Sequence, residues 1–526
     1  MLDSRRKILK SSFGVAVATL LSRILGLARV MLEARVLGGG IFASAWGLAF
    51  MVPNLFRRIL GEGALGSALI PIISGVEAEE GEQKVRYNLT VVFAVLSIIL
   101  LAIVLVVTIL SWIISGCFSA EISSKYEHVK LALKLLPIVM PYAFFICLIG
   151  VCGSILNAKR VFFLPALGAL LLNVMLIGML LYGYRFMLNN REELLNYLGV
   201  TVLVAGAVHL ALMLLLLWKH GRMPLCQLAA LKNSKMLHSI WQLTLPGVLG
   251  ASATQVSFLV DRSLAAWLGP EAVPALNYTE RLVYLPIGVF ALALGSVLLA
   301  DMSKAAARGD REEFLDDLVL GLRHVYFVCV PLAAYMIFFR TEIITLLFAG
   351  GNFKLENVQA TAWATLFYAL GIPVFCAQKV IIPAFHSRKE MKTPLKVALW
   401  AIGLNVVLNL ILMWPLKQGG LALATVLSAS FNNLTLIYIL RKQGFMVNLR
   451  PVMLSLLKIL LAAAAATLVA RFLYGGIADW HLMLWKAELV PLLSTAAIFA
   501  VVYSVCAGML RCPEIGENLN MFLRRK

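Results

Sequence analysis

Apolar runs of about 20 residues or more recur along nearly the whole chain, each long enough to cross roughly 30 Å of hydrocarbon at 1.5 Å per residue. Inside a bilayer every backbone polar group must find its partner within the spanning structure, so runs of this length read as helices. About fourteen can be counted between charged or Gly/Pro-rich breaks. Their approximate spans are 11–37, 41–74, 87–117, 129–156, 161–184, 194–218, 238–268, 272–303, 314–349, 356–385, 394–416, 419–440, 452–474 and 486–510. With 61% hydrophobic and 14% charged residues, too little polar surface is left to coat a soluble globule. The expected fold is an all-α polytopic membrane protein.

Positive residues are retained on the cytoplasmic side, so the basic loops orient the spans. Arg5, Arg6, Lys7 and Lys10, Lys84 and Arg86, Lys159 and Arg160, and Lys219, Arg222, Lys232 and Lys235 fall on one side. The same side takes Lys304, Arg308 and Arg311, Arg388, Lys389 and Lys392, Arg441, Lys442 and Arg450, and the terminal Arg524, Arg525 and Lys526. The opposite loops hold only scattered cations such as Lys125, Arg185, Arg191, Lys354, Lys417 and Lys486. Both termini are therefore expected in the cytoplasm, which fits an even number of crossings.

Topology and contact with anionic lipid account for the net charge of +19, and no nucleic acid partner is expected. The first apolar run contains Arg23 and Arg29 and lacks a cleavage site, so it reads as a retained helix. The eight cysteines show no C-x-x-C spacing and read as small core residues. No H-E-x-x-H, Walker A or G-x-S-x-G arrangement is present in the sequence, and the chain is not expected to be an enzyme.

An internal repeat divides the chain. ALGSALIPIIS, from Ala64 to Ser74, reappears as ALGSVLLADMS, from Ala293 to Ser303, and NAKRVFFLP, ending at Pro165, corresponds to HSRKEMKTP, ending at Pro394. Both pairs lie about 229 residues apart, which lays spans one to six onto spans seven to twelve. The expected organisation is an N-lobe at 1–220, a C-lobe at 221–443, and a region at 444–526 holding two extra helices and a basic C-terminus. Six crossings per unit leave the two repeats parallel, as in transporters whose substrate binds between such halves.

Charged residues inside these spans are the main functional signal. A charge at bilayer depth costs at least about 2.5 to 3.5 kcal/mol, so it persists where it faces a wet cavity or a partner. Arg23 lies about 18 Å from the cytoplasmic start of the first helix and Arg281 about 14 Å from the outer start of the eighth. Arg29 falls further outward, and Arg57 lies in the inner half of the second helix. Gly26 sits between Arg23 and Arg29 at helical spacing, leaving a gap between two cationic heads that an anion would fill. Guanidinium forks match phosphate oxygens and stay charged, so a phosphate or diphosphate is the inferred cargo group. The competing reading pairs the arginines with Glu33, Glu62 or Glu280, or lets them snorkel, and it is the reading given to Arg35 and Arg58. Local acids look too few to neutralise Arg23, Arg29, Arg57 and Arg281.

SRILGLAR, VPNLFRRILGEGALGSALIPI, NYTERLVYLPIGVFALALGSVLLADMS and PAFHSRKEMKTP together resemble the MurJ (MviN) lipid II flippases of the multidrug/oligosaccharidyl-lipid/polysaccharide exporter superfamily. The resemblance implies a flippase that moves the undecaprenyl-diphosphate-linked peptidoglycan precursor, lipid II, from the cytoplasmic to the outer leaflet of the bacterial inner membrane. By motif position, Arg23, Arg29 and Arg281 match the family's cavity arginines, Arg57 matches the arginine of its second helix, and Glu280 keeps the acid before Arg281. The family's lipid-tail groove corresponds to 452–510. Its aspartate early in the second helix is Ser44 here, and the acid after the second arginine is Val30, so an Arg–Asp gate at those positions does not carry over. Implied partners are lipid II and membrane lipids, with cell-wall synthesis proteins as further candidates.

No cofactor is expected apart from a candidate sodium ion held by Asp261, Asn405, Asn409 and Thr425, whose oxygens suit a hard cation. Ordinary interhelical hydrogen bonding is the alternative for the same residues. Alternating access would rock the lobes about the central site, with Gly38, Gly39, Gly40, Gly350 and Gly351 as outer flexible elements or simple turns. The competing functions are an exporter of drugs or of another lipid-linked oligosaccharide on the same architecture, and a membrane enzyme or scaffold for cell-wall synthesis. The last would need catalytic carboxylates facing outward or a sizeable soluble domain.

Overall fold

The computed structural model describes residues 2–61, 64–159, 161, 163–224, 252, 255–481 and 489–517. Glu62, much of the seventh predicted span, Arg160, Lys232, Lys235, Lys486 and the terminal Arg524, Arg525 and Lys526 lie outside them. The described residues form helices with one isolated bridge, Gly350 to Phe353, and no strand. Eight helices are long and apolar enough to cross a membrane, or nine if the bent pair Glu127–Val139 and Tyr142–Ala158 is one span, among the described residues. Fourteen crossings stay the expectation of the sequence.

Several predicted spans are helical but broken, each for a local reason. The fourth bends by 50° between Val139 and Tyr142, where Pro141 can donate no backbone hydrogen bond. The ninth divides at Phe339 into Arg311–Phe338 and Arg340–Phe348, and the tenth at Gly371 into Leu355–Leu370 and Ile372–His386. Between the second and third spans a loop is expected around residues 75–86. Helix continues there instead, interrupted at Gly81, whose φ of 81° suits a residue without Cβ.

Two π turns, Arg57–Gly61 and Ile287–Ala291, interrupt the second and eighth spans. They stand about 230 residues apart, the repeat offset to within one residue. The internal repeat thus extends to a shared backbone irregularity. A π turn inserts one residue and rotates everything beyond it around the helix axis, and such turns concentrate at functional positions.

The chain packs as two compact units: Met1–Pro274 with Gly350–Lys354, and Ala275–Ala349 with Leu355–Lys526. Helical residues 255–268 belong to the first unit, where His128 Nε2 lies 2.9 Å from the Ala266 carbonyl. The unit boundary follows packing and falls later in the chain than the repeat boundary expected at residue 220. In the second unit, Arg450–His481 and Leu489–Met509 pack against Arg311–Phe338 around Ala463, Ala466, Phe499 and Tyr503. Tyr335 and Tyr503 donate to the carbonyls of Leu492 and Phe327 at 2.8 and 2.7 Å. Arg323 and Ser455 both donate to buried Glu514, at 2.7 and 2.6 Å.

On the basic side, one residue in each unit gathers two cations from its connections. Glu82 takes Lys159 and Arg222, each at 3.3 Å, in the first unit. In the second, the Phe445 ring lies under the guanidinium groups of Arg388 and Arg311, 4.1 and 5.3 Å from its centroid.

Candidate functional site

The first helix, Leu2–Leu37, carries Arg23, Gly26 and Arg29. Arg23 is half-buried, and a Cβ added at Gly26 would meet nothing within 4 Å, so open space does accompany that glycine. Arg29 is buried and its Nε stands 3.3 Å from a Glu33 carboxylate oxygen one turn along. The expectation that Arg29 lacks an acid is therefore corrected. Spacing of four residues brings Glu33 beside it, and burial of both groups strengthens their attraction. A guanidinium has five donors, so one carboxylate contact does not exhaust it. Val30 packs in the core at 3% exposure, and Ser44, where the resemblance leads one to look for an acid, is fully buried.

The second helix, Ile41–Phe56, ends in Pro53, Asn54 and the first π turn. Asn54 accepts from Arg57 Nε at 3.2 Å and donates to the Phe50 carbonyl at 2.9 Å, so one amide links the arginine to the helix backbone. Cys147 donates to the Phe56 carbonyl at 3.6 Å, immediately before the turn. Arg58 aims elsewhere: it is exposed, and its guanidinium lies 5.3 Å from the Phe258 ring centroid, with Arg262 4.8 Å from the same centroid. The turn thus directs two consecutive arginines to different partners.

In the second unit, Arg281 is exposed and Glu280 half-buried on Ala272–Pro286. Their neighbour Thr279 is fully buried and bonded to Thr365 at 2.9 Å and to the Thr361 carbonyl at 3.2 Å, which fixes that part of the helix.

The four candidate sodium ligands divide between the units. Asp261, 8% exposed, lies in the first, while Asn405, Asn409 and Thr425 lie in the second. Asn409 donates to Asn405 Oδ1 at 3.1 Å and Thr425 donates to the Leu421 carbonyl at 3.0 Å. Hydrogen bonding along the helix already occupies part of this set, although the oxygens have the chemistry a sodium ion needs. Among the described residues no group of three His, Cys, Asp or Glu side chains could hold a metal.

Sequence reasoning passed over Lys379. It is half-buried on Ile372–His386, inside the apolar stretch Leu355–His386, and makes no hydrogen bond or ion pair among the described residues. The signal was legible by the rule that found the arginines, since CAQKVIIP places one lysine in an apolar run. The π turns carried no such signal.

A family model described as Lipid II flippase MurJ matches residues 33–493. The lipid II flippase MurJ of Burkholderia cenocepacia is 31% identical over 81% of this chain and 82% of its own length. The probable lipid II flippase MurJ of Bdellovibrio bacteriovorus is 28% identical over 98% of this chain and 97% of its own. A solved lipid II flippase MurJ in an inward closed conformation superposes with a TM-score of 0.77 at 25% identity, over 95% of this chain and 99% of that one. An inward-facing multidrug resistance MATE family transporter of the MOP superfamily gives a TM-score of 0.64 at 16% identity, over 82% of this chain and 98% of that one, a likeness of fold.

Proposed function

The chain belongs to the lipid II flippase MurJ family, and from that premise we infer that it carries the undecaprenyl-diphosphate-linked peptidoglycan precursor from the cytoplasmic to the outer leaflet by alternating access. The observation that carries this reading is the family match along residues 33–493, joined to arginines placed within the apolar helices of both repeats. Each of Arg23, Arg29, Arg57 and Arg281 offers a forked donor to a diphosphate, and Gly26 leaves room for the anion between two of them.

Glu33 and Glu280 temper the positive field, so the anion is attracted strongly enough to enter and weakly enough to leave. The hydrocarbon tail stays in lipid. Arg450–His481 suits that role, with Leu468 and Phe472 72% and 87% exposed on an apolar face. No chemical step on the cargo is required, so the protein acts as a transporter rather than an enzyme. In this reading both termini lie in the cytoplasm, the membrane is the bacterial inner membrane, and cell-wall synthesis proteins receive the cargo. A sodium ion at Asn405, Asn409, Thr425 and Asp261 would couple transport to an ion gradient; identical transport in sodium and potassium removes that element.

The test is complementation in a bacterium depleted of its own flippase, scoring lipid II in the outer leaflet. Wild type rescues, while Arg23→Ala, Arg29→Ala and Arg281→Ala at equal membrane levels do not. Wild type that inserts properly yet fails to move lipid II would overturn the reading.

A further inference from the structure

We propose that Lys379 is an additional cargo-binding cation of the second repeat, contacting an oxyanion of the translocated lipid toward the cytoplasmic side. The proposal rests on the flippase reading.

Four observations carry it. Lys379 lies seven residues before the end of Ile372–His386, about 10 Å inside the helix terminus. A charge at that position is disfavoured unless it meets water or an anion. Its side chain is half-buried and has neither acid nor hydrogen-bond acceptor among the described residues, in contrast to Arg29.

Its backbone is held rigidly. A Cβ on Gly295 would stand 2.4 Å from the Lys379 carbonyl oxygen and 3.7 Å from the Lys379 Cβ. The helix Leu292–Arg308, which follows the second π turn, therefore presses directly on the base of this lysine. Tyr284, just before that turn, stacks on Phe375 one turn earlier on the lysine's own helix, with centroids 6.3 Å apart.

The repeat supplies the fourth observation. In its register Arg57 and Arg58 correspond to Pro286 and Ile287, so the second π turn carries no cation. Lys379 corresponds to Gly150, so the first repeat has no lysine there, while Cys147 and Cys376 align nearby. Each repeat thus has a cation beside its π turn, on the turn in one and on the neighbouring helix in the other. An ammonium on a flexible stem suits a contact that must follow a moving anion, whereas a guanidinium fork suits a fixed one.

The test uses the full-length protein in liposomes, with lipid II translocation and undecaprenyl diphosphate binding as readouts. Lys379→Met is expected to weaken undecaprenyl diphosphate binding about ten-fold and Lys379→Arg to restore most of it. Loss of lipid II translocation with intact undecaprenyl diphosphate binding would keep the oxyanion contact but assign it to a peptide carboxylate. Lys379→Cys guards against misfolding. Aminoethylation, which rebuilds an ammonium at that position, should restore translocation, while methylthiolation should not, with wild type treated in parallel. If wild type moves lipid II and Lys379→Met matches it in both readouts, the lysine merely snorkels and the proposal is wrong. If wild type moves no lipid II, the flippase reading fails and the proposal falls with it.

Discussion

In the first repeat the π turn Arg57–Gly61 carries two arginines, one tied to Asn54 and one lying over Phe258. In the second the π turn Ile287–Ala291 is apolar, with Ile287 and Ala291 in the core, and the nearby cation is Lys379 on another helix. Both repeats carry the backbone device, and only the first places cations on it. A π turn is a matter of hydrogen-bond register, which many sequences tolerate, whereas the position of a charge is set by what it must touch. The two units differ likewise on their basic side. Glu82, itself exposed, joins half-buried Lys159 and buried Arg222 through ion pairs, and Phe445 joins two guanidiniums through its ring faces.

The sharpest way to break the comparison is to change charge and backbone separately. Arg57→Ala should reduce lipid II translocation about a hundred-fold, while Pro286→Ala, its register partner, should leave it near wild type. Equal losses would mean that the shape of the turns matters and the charge does not. Next in size is Gly295→Ala, whose Cβ would collide with the Lys379 carbonyl; destabilisation of about 1–3 kcal/mol is expected by thermal unfolding in detergent. An unchanged melting temperature would show that this helix pair is looser than described.

Phe445→Leu should cost about 1–2 kcal/mol with little dependence on salt, through loss of two cation–π contacts. Glu82→Gln should cost about 1–2 kcal/mol by the same measurement, because Glu82 is exposed but the Arg222 side chain it meets is buried. The smallest effect belongs to Gly26→Ala, which meets open space and should stabilise the helix by about 0.5–1 kcal/mol. Gly26→Leu should retain stability but weaken undecaprenyl diphosphate binding, and undiminished binding would remove Gly26 from the site.

Much of this was legible in residues read singly or at short spacing. Among the described residues helices lie where apolar runs predict them, and Arg29 and Glu33 stand at the four-residue spacing that pairs them. Lys379 was visible by the same argument as Arg23, although its lack of a partner was not. The breaks at Val139–Tyr142, Phe339 and Gly371 were less accessible, because an apolar run has the same composition whether its helix is continuous or bent.

The sequence by itself determined the membrane class, the helical fold and the repeat. These are sums over local properties: apolar length, loop charge and residue spacing. Only the tertiary structure decided that Arg57 is held by Asn54 while Arg58 lies over Phe258, that both repeats carry π turns, and that Gly295 presses on Lys379. The contacts to Phe258 and Lys379 depend on which distant segment packs against each helix, and the Asn54 contact depends on the hydrogen-bond register at the π turn.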